Sequence, residues 1–281
     1  MLLSVICFSV MDILVKLTTS NYPIGEIAFF RGLFGLIPIF FLIPKNKIFT
    51  FYKTKKPTLH FIRAFAGKFA MISTFIGVKY MKLADVVSIA QATPVFVTIF
   101  SIIFLKEVVG YRRWFSVIAG LIGVLFITKP GTSLFNIYCI FPIFFCIGFS
   151  IVAVSIKRLS KTEPDYLIAF YFTALLIIIS STAFFFEEWK MPSILDFFYL
   201  CMIGICGSIA NLFMTTAYRR ADASLITPLK YLSVLSAIFF GYYIFSEIPS
   251  VSTIIGAIII IISSFIIFKR EQVKKIRSVS L

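Results

Sequence analysis

Ten long apolar runs, separated by short polar breaks, account for most of this sequence of 281 residues. A helix needs about 20 mostly apolar residues to cross a bilayer, and each run is close to that length. The runs lie at approximately 1–18, 25–44, 59–78, 84–105, 112–128, 136–156, 165–186, 194–217, 223–245 and 249–268. The longest break, 45–58, has 14 residues and leaves no room for a soluble domain. The pattern predicts an all-α integral membrane fold of ten transmembrane helices.

Composition excludes an ordinary soluble domain. Hydrophobic residues make up 60% of the chain and charged residues only 14%, whereas a soluble domain is about 25% charged. The excess of basic residues, 27 Lys and Arg against 12 Asp and Glu, falls mostly in the breaks between apolar runs. It therefore does not form the single basic surface that binds nucleic acid. The five cysteines lack a C-x-x-C spacing, which favours buried free thiols over a disulfide framework.

The distribution of Lys and Arg predicts the orientation in the membrane. Eighteen of these residues lie in the even-numbered breaks and the tail, and four lie in the odd-numbered breaks. Because short cytoplasmic loops carry the excess of Lys and Arg, both termini are expected in the cytoplasm and the protein in the inner membrane. The first run starts at Met1 without a basic leader or a cleavage signature, so we expect a true first helix.

The two halves of the chain match each other in order. With a shift of 141 positions, Lys16 falls on Lys157 and Pro23 on Pro164, and Glu107 answers Glu247 at a shift of 140. The sequence thus predicts two repeats, 1–135 and 136–281, the second ending in a basic cytoplasmic tail. Five helices is an odd number, so the second repeat must be inverted in the membrane, an arrangement that recurs in transporters with a site between the repeats.

The sequence resembles the EamA family of the drug/metabolite transporter superfamily over essentially its whole length. The resemblance rests on a paired pattern of an Ala-containing turn, a Pro-bearing helix that ends in Glu, and a small-residue helix. In this chain the pattern reads ADVVSIAQATPVFVTIFSIIFLKE with GLIGVLFI, and ADASLITPLKYLSVLSAIFFGYYIFSE with GAIIIIISSFII. Within the family, MDILVK, EIAFFRG and TPLKYL are similar to segments of S-adenosylmethionine uptake transporters of intracellular bacteria. The resemblance implies a basket of ten helices, a central cavity and transport by alternating access.

Ionisable residues at membrane depth usually face a cavity or each other, because burial in lipid is costly. Asp12 and Lys16 are four residues apart and share one face of the first helix, where they are expected to form an ion pair or part of the site. Arg31 lies too deep to reach the headgroups, so Asp12 or Glu26 is its expected partner. Lys68 falls near the bilayer centre and is the sharpest candidate for substrate binding.

Further substrate-binding candidates are polar residues in the later helices. Gln91 and Asn211 are amides that bind a ligand or join helices, and Lys230 and Tyr231 follow Pro228 near the start of the ninth helix. Pro94 predicts a kink in the fourth helix. Arg63 is expected to reach the cytoplasmic headgroups, and His60 to contact headgroups at a membrane edge. The sequence predicts no catalytic residue, metal ligand or cofactor site.

The function expected is secondary transport of a small metabolite. The surplus of cations within the helices favours an anionic or zwitterionic compound, such as an amino acid or a nucleotide-derived compound, and S-adenosylmethionine stays open as a candidate. A passive channel and a membrane-embedded enzyme are the alternatives; motifs such as H-E-x-x-H and G-x-S-x-G are missing. The expected partners are the substrate and the lipid bilayer, with a homodimer left open and nucleic acid excluded.

The residue assignments predict the outcome of three substitutions. Lys68→Ala and Arg31→Ala are expected to abolish transport without loss of folded protein in detergent, whereas Arg63→Ala is expected to be mild. Uptake by proteoliposomes together with the yield of folded protein measures both effects.

Overall fold

The computed structural model describes residues 1–44, 52–93, 95–97, 99–100, 111–128, 136–220, 232–262 and 265. These residues form helices without a strand, as the sequence predicts. The α-helices are α1 Leu2–Thr18, α2 Ile24–Leu42, α3 Pro57–Tyr80, α4 Leu83–Ala90, α5 Tyr111–Thr128, α6 Ile140–Leu159, α7 Asp165–Ser181, α8 Ile194–Arg220, α9 Leu232–Phe245 and α10 Val251–Ile262. Short 3₁₀ turns at Ile137–Cys139 and Thr182–Phe185 precede α6 and extend α7.

Each apolar run of the sequence contains one of these helices. Within the described residues, five helical segments are long and apolar enough to cross a membrane. They are Ile24–Leu42, Pro57–Tyr80, Ile137–Ile156, Asp165–Phe185 and Ile194–Ala217. The apolar helical segments Ile118–Ile127, Ser233–Phe245 and Val251–Ile262 are shorter.

Prolines set the starts of three helices. Pro57 lies in the first turn of α3, where a missing N–H costs no hydrogen bond. Pro23 and Pro164 are the N-cap residues of α2 and α7, and both have extended backbones. These two prolines are the pair that the shift of 141 positions aligns, so the matched residues of the two halves play the same local role.

The surface of the bundle is apolar and its interior contains the polar groups. Large apolar side chains such as Phe41, Phe65 and Leu235 are exposed, whereas Arg31, Arg63, Glu26, His60, Gln91 and Asn211 are buried. A soluble protein has the opposite distribution, because water solvates charges and excludes apolar surface. The outer surface therefore fits a lipid environment, and the buried polar groups must be satisfied inside the bundle.

One end of the bundle, here called the Lys16 end, joins four helix connections. Lys16 forms an ion pair with Glu247 and donates to the Met81 carbonyl at 2.9 Å. Tyr22 donates to Asp196 at 2.8 Å. These bonds bring together the α1–α2, α3–α4, α7–α8 and α9–α10 connections.

The opposite end, here called the Glu163 end, joins the remaining described connections. A Glu163 carboxylate oxygen accepts from the Thr54 hydroxyl and from the Lys55 backbone N–H, each at 2.9 Å. Arg219 pairs with Asp165 at 2.6 Å. The α2–α3 and α6–α7 connections and the end of α8 therefore meet at this end, so helices that are joined by described connections run in opposite directions through the bundle.

Close helix packing depends on glycines, as is common where lipid supplies no hydrophobic drive between helices. A Cβ atom placed on Gly148 of α6 would lie 2.9 Å from the Ala66 carbonyl oxygen of α3. Gly123 of α5 and Gly256 of α10 meet in the same way, each Cβ position lying under 3.0 Å from the other's carbonyl oxygen. The α3–α6 pair is among the most extensive contacts of the described bundle.

Gly148→Ala is expected to destabilise the protein by about 1–3 kcal/mol, because the backbones of α3 and α6 must separate to admit the methyl group. The thermal unfolding midpoint in detergent measures the loss. Gly77→Ala is the matched control on α3, because its Cβ would lie 3.4 Å from Pro142 of α6, an ordinary contact distance. Equal midpoints for the two variants would show that α3 and α6 do not pack as described.

Candidate functional site

A cavity of about 200 Å³ lies among eight of the described helices. Its lining comes from α1, α2, α3, α4, α6, α7, α8 and α9. Along α1 the lining residues run from Met1 to Asp12, so the cavity reaches the Glu163 end of this helix and stops one turn before Lys16. Elements of both sequence halves thus enclose one central space.

Helix α4 ends beside the cavity. Its α-helical hydrogen bonding gives way to a turn at Gln91 and Ala92 before helical backbone resumes at Thr93. The Gln91 side chain lines the cavity and donates to the Ser233 hydroxyl at 2.7 Å. Irregular backbone at membrane depth is tolerated where it lines a cavity rather than lipid, so the break in α4 belongs to the site.

Arg31 of α2 points into the cavity and is only 7% exposed. Its guanidinium contacts the Met71 sulfur and lies 6.0 Å from the centroid of the Phe75 ring. Gly207 of α8 makes room for it, since a Cβ there would be 2.8 Å from the Arg31 Nε. The side chain is held in place by apolar and aromatic neighbours.

Arg63 of α3 is the second cation of the cavity and is 1% exposed. Its Nη2 donates to the side-chain amide oxygen Oδ1 of Asn211 at 3.0 Å, and its guanidinium lies 4.4 Å from the centroid of the Phe172 ring. The same ring lies 5.8 Å from the Arg31 guanidinium. Gly67 of α3 admits Phe172, because a Cβ at that position would lie 2.8 Å from the ring. Both arginines thus share one aromatic ring by cation–π contact.

The two arginines keep unused hydrogen-bond donors. Within the described residues, Arg31 Nε and Arg63 Nε and Nη1 are buried without a hydrogen-bond partner, and neither guanidinium is within ion-pair distance of a carboxylate. Asp12 is the acidic residue that lines the cavity, and it attracts Arg31 at longer range, whereas Arg63 repels Arg31. Buried donors without partners are costly, so the arrangement favours an anionic group that enters the cavity.

The structure brings together some of the residues that the sequence singled out. Asp12, Arg31, Gln91 and Asn211 all line the cavity. Lys230 and Tyr231, together with Pro94 and Pro228, lie outside the described residues.

Three other candidates lie elsewhere. Lys16 is bonded to Glu247 and Met81 at the end of the bundle rather than to Asp12. Glu26 is buried and accepts from the Lys190 backbone N–H at 3.2 Å, so it does not serve as the partner of Arg31. Lys68 is buried but is not part of the cavity lining, because each residue turns a helix by about 100° and the adjacent Gly67 takes the inward position.

Two interpretations from the sequence are wrong. Arg63 does not reach toward headgroups; it points inward, because Asn211 and Phe172 give it polar and aromatic contacts inside the bundle. His60 is 1% exposed, and its ring lies 4.5 Å from that of Tyr171. It therefore packs inside the bundle rather than against headgroups.

Sequence reasoning missed Phe172 and Arg63 as members of the site. The signal for Arg63 lay in the spacing of its own helix, where Gly67, Ala70 and Thr74 follow at intervals of three or four residues. Small residues on one face of a membrane helix mark the side that packs inward, and Arg63 lies on that side. Phe172 carried no such signal among 35 phenylalanines.

Comparison with known proteins identifies the family. The EamA-like transporter family matches this chain over residues 1–129 and 136–269. The chain belongs to this family. It is therefore a multi-pass membrane transporter, and not an enzyme, as the sequence predicts.

Named relatives of this EamA-like transporter cover nearly its full length. An S-adenosylmethionine uptake transporter of Rickettsia felis is 29% identical over 96% of this chain and 92% of its own length. The pseudopaline exporter CntI of Pseudomonas aeruginosa is 26% identical over 94% of this chain and 93% of its own. A solved crystal structure shares the fold, with a TM-score of 0.60 at 16% identity, and covers 94% of this chain and 95% of its own.

Gly207→Ala is expected to weaken ligand binding with little effect on stability. The added methyl group would displace the Arg31 guanidinium and the Met11 sulfur, which are side-chain atoms, so the backbone of α8 would not have to move. Ligand-dependent thermal stabilisation measures binding, and the midpoint without ligand measures stability. Gly35→Ala is the matched control, because its Cβ would lie at an ordinary 3.4 Å from Gly204. Unchanged ligand-dependent stabilisation in Gly207→Ala would contradict a binding role for Arg31.

Proposed function

We propose that this EamA-like transporter is a secondary carrier that binds a zwitterionic metabolite in the central cavity and moves it across the inner membrane by alternating access. The observation that carries the proposal is the pair of buried arginines with unpartnered donors beside Asp12. A carboxylate accepts charge-assisted hydrogen bonds from such donors. Asp12 supplies the opposite charge for an amino group.

We infer ten membrane crossings in two inverted repeats of five. The two family matches, residues 1–129 and 136–269, support two copies of one unit. The matched prolines Pro23 and Pro164, which begin α2 and α7 in the same way, support the same register. The alternation of helix connections between the Lys16 end and the Glu163 end supports an antiparallel path through the membrane. With both termini in the cytoplasm, as loop charge predicts, the Lys16 end faces outward.

S-adenosylmethionine is the substrate that the chemistry of the cavity favours among the compounds named for its relatives. Its carboxylate suits Arg31 and Arg63, and its amino group suits Asp12. Its sulfonium and adenine suit the aromatic rings that line the cavity, among them Phe75, Phe149 and Phe172, through cation–π and stacking contacts. The name of the Rickettsia felis relative, at 29% identity, points to the same compound.

Proteoliposomes that contain the purified protein are expected to take up labelled S-adenosylmethionine with saturable kinetics and stimulation by unlabelled compound on the opposite side. A passive channel would give neither saturation nor stimulation. Decarboxylated S-adenosylmethionine is expected to compete weakly, because it lacks the group that the two arginines bind. Equal competition by the decarboxylated compound would contradict the carboxylate site.

Arg31→Ala and Arg63→Ala are each expected to reduce the initial uptake rate at low substrate concentration by at least about 30-fold, since loss of one partner of a buried charged hydrogen bond costs about 2–5 kcal/mol. The expectation for Arg63 thus reverses the mild effect that the sequence alone predicts. Arg158→Ala removes an exposed arginine near the Glu163 end and is the matched control. Uptake that falls equally in all three variants, or in none, would contradict the assignment.

A further inference from the structure

Lys16 and Glu247 join the end of α1 to the α3–α4 and α9–α10 connections at the Lys16 end. The Lys16 Nζ forms the ion pair with one Glu247 oxygen and donates to the Met81 carbonyl at 2.9 Å. The other Glu247 oxygen accepts from the Leu83 backbone N–H at 2.9 Å, at the N-terminus of α4, where a negative charge is favoured. We call Lys16, Met81, Leu83 and Glu247 the clasp.

The clasp lies over a narrow seam between α1, α4 and α9. A crevice of about 10 Å³ follows this seam, and its lining includes Asp12, Leu83, Ser236 and Phe240. Asp12 lines both the crevice and the central cavity, and Leu83 belongs to both the crevice and the clasp. The seam therefore leads from the cavity toward the Lys16 end and is closed there by the clasp.

Two hydrogen bonds that water can replace cross the seam, beside apolar contacts of the core. Ser9 and Ser236 share a hydrogen bond of 2.7 Å between α1 and α9, and Gln91 donates to Ser233 at 2.7 Å between α4 and α9. The α3–α6 and α2–α8 pairs, in contrast, meet through glycines at distances that leave no space for water. Opening along the seam exchanges these polar contacts for water, exposes the apolar lining residues Ile13, Val87 and Phe240, and leaves the close glycine contacts intact.

The backbone next to Glu247 has an unusual conformation at Ser246. Ser246 has a φ of 53°, a left-handed conformation that side chains other than glycine rarely adopt. It turns the chain so that the Glu247 N–H donates to the Gly241 carbonyl at 2.9 Å. A left-handed residue commonly ends a helix, and a residue other than glycine keeps this conformation only where the surrounding contacts hold it.

We propose that the clasp is the gate that closes the central cavity toward the Lys16 end, and that release of the Lys16–Glu247 ion pair opens the seam down to Asp12. This inference rests on the proposed carrier function. It gives Lys16 a role in access to the site rather than in contact with the substrate.

The test measures access to the seam and needs no substrate. Ser236→Cys places a thiol in the crevice, and a membrane-impermeant maleimide reports its accessibility from each side in right-side-out and inside-out vesicles. Labelling of the protein without this substitution is subtracted, because the chain has five native cysteines. Glu247→Gln in this background is expected to raise the labelling rate from the side of the Lys16 end at least about tenfold, since the ion pair and its charged hydrogen bonds are weakened.

Two further variants make the result specific. Lys16→Glu combined with Glu247→Lys restores opposite charges and is expected to lower labelling from the level of Glu247→Gln back toward that of the unmodified clasp. Lys190→Met is the matched control, because Lys190 is an exposed lysine of the α7–α8 connection at the same end of the bundle and lies outside the clasp. Labelling that stays slow in Glu247→Gln, or that rises equally in Lys190→Met, would overturn the proposal.

The gate can still be tested if one of the clasp variants does not fold. If Glu247→Gln fails to yield folded protein, Lys16→Met removes the same ion pair from the other side and is expected to raise labelling in the same way. A folded Lys16→Met variant with slow labelling contradicts the gate. Because labelling is independent of substrate, a failure of S-adenosylmethionine uptake together with fast labelling of the clasp variants would reject the substrate and retain the gate.

Discussion

The guanidinium groups of Arg31 and Arg63 lie buried in an apolar helix bundle. Both contact the ring of Phe172, and some of their N–H donors have no hydrogen-bond partner among the described residues. Asn211 satisfies one edge of Arg63. Charges in such a place are costly unless they are paired or used. Four other features surround the two arginines. Gly207 leaves space for Arg31, and Gly67 leaves space for Phe172. The turn after α4 places the Gln91 side chain in the cavity lining, and Asp12 attracts Arg31 electrostatically. The residues around the cavity therefore position these two side chains.

The positions of the helices could be predicted from the sequence, because the length and hydropathy of each apolar run depend only on residues that are close together in the chain. Each apolar run contains one helix, and the two prolines aligned by the internal register, Pro23 and Pro164, are both N-cap residues. Loop charge predicts which connections share a side, and the bonds at the Lys16 and Glu163 ends join connections of the same predicted side. The turn at Gln91, where the regular α-helical backbone of α4 ends, was not predictable from hydropathy, because the apolar run continues through it.

The site could be predicted only in part, because depth in the membrane does not determine the direction of a side chain. Asp12, Arg31, Gln91 and Asn211 line the cavity as expected. Lys68 lies at a suitable depth, but a rotation of about 100° separates it from Gly67, which faces the cavity. The spacing along one helix predicts that Lys16 either pairs with Asp12 or shares a site with it, whereas its partner Glu247 comes from a connection 231 residues away. Pairing of that kind is a property of the tertiary structure.

The central claim is that Arg31 and Arg63 together bind the carboxylate of the substrate. An experimental structure of the protein with bound S-adenosylmethionine tests it most directly. The account predicts carboxylate oxygens at about 2.7–2.9 Å from Arg31 and Arg63 nitrogens, the spacing of charge-assisted hydrogen bonds, with the amino group toward Asp12. A ligand bound in the cavity with its carboxylate away from both arginines would contradict the account, as would a ligand bound outside the cavity.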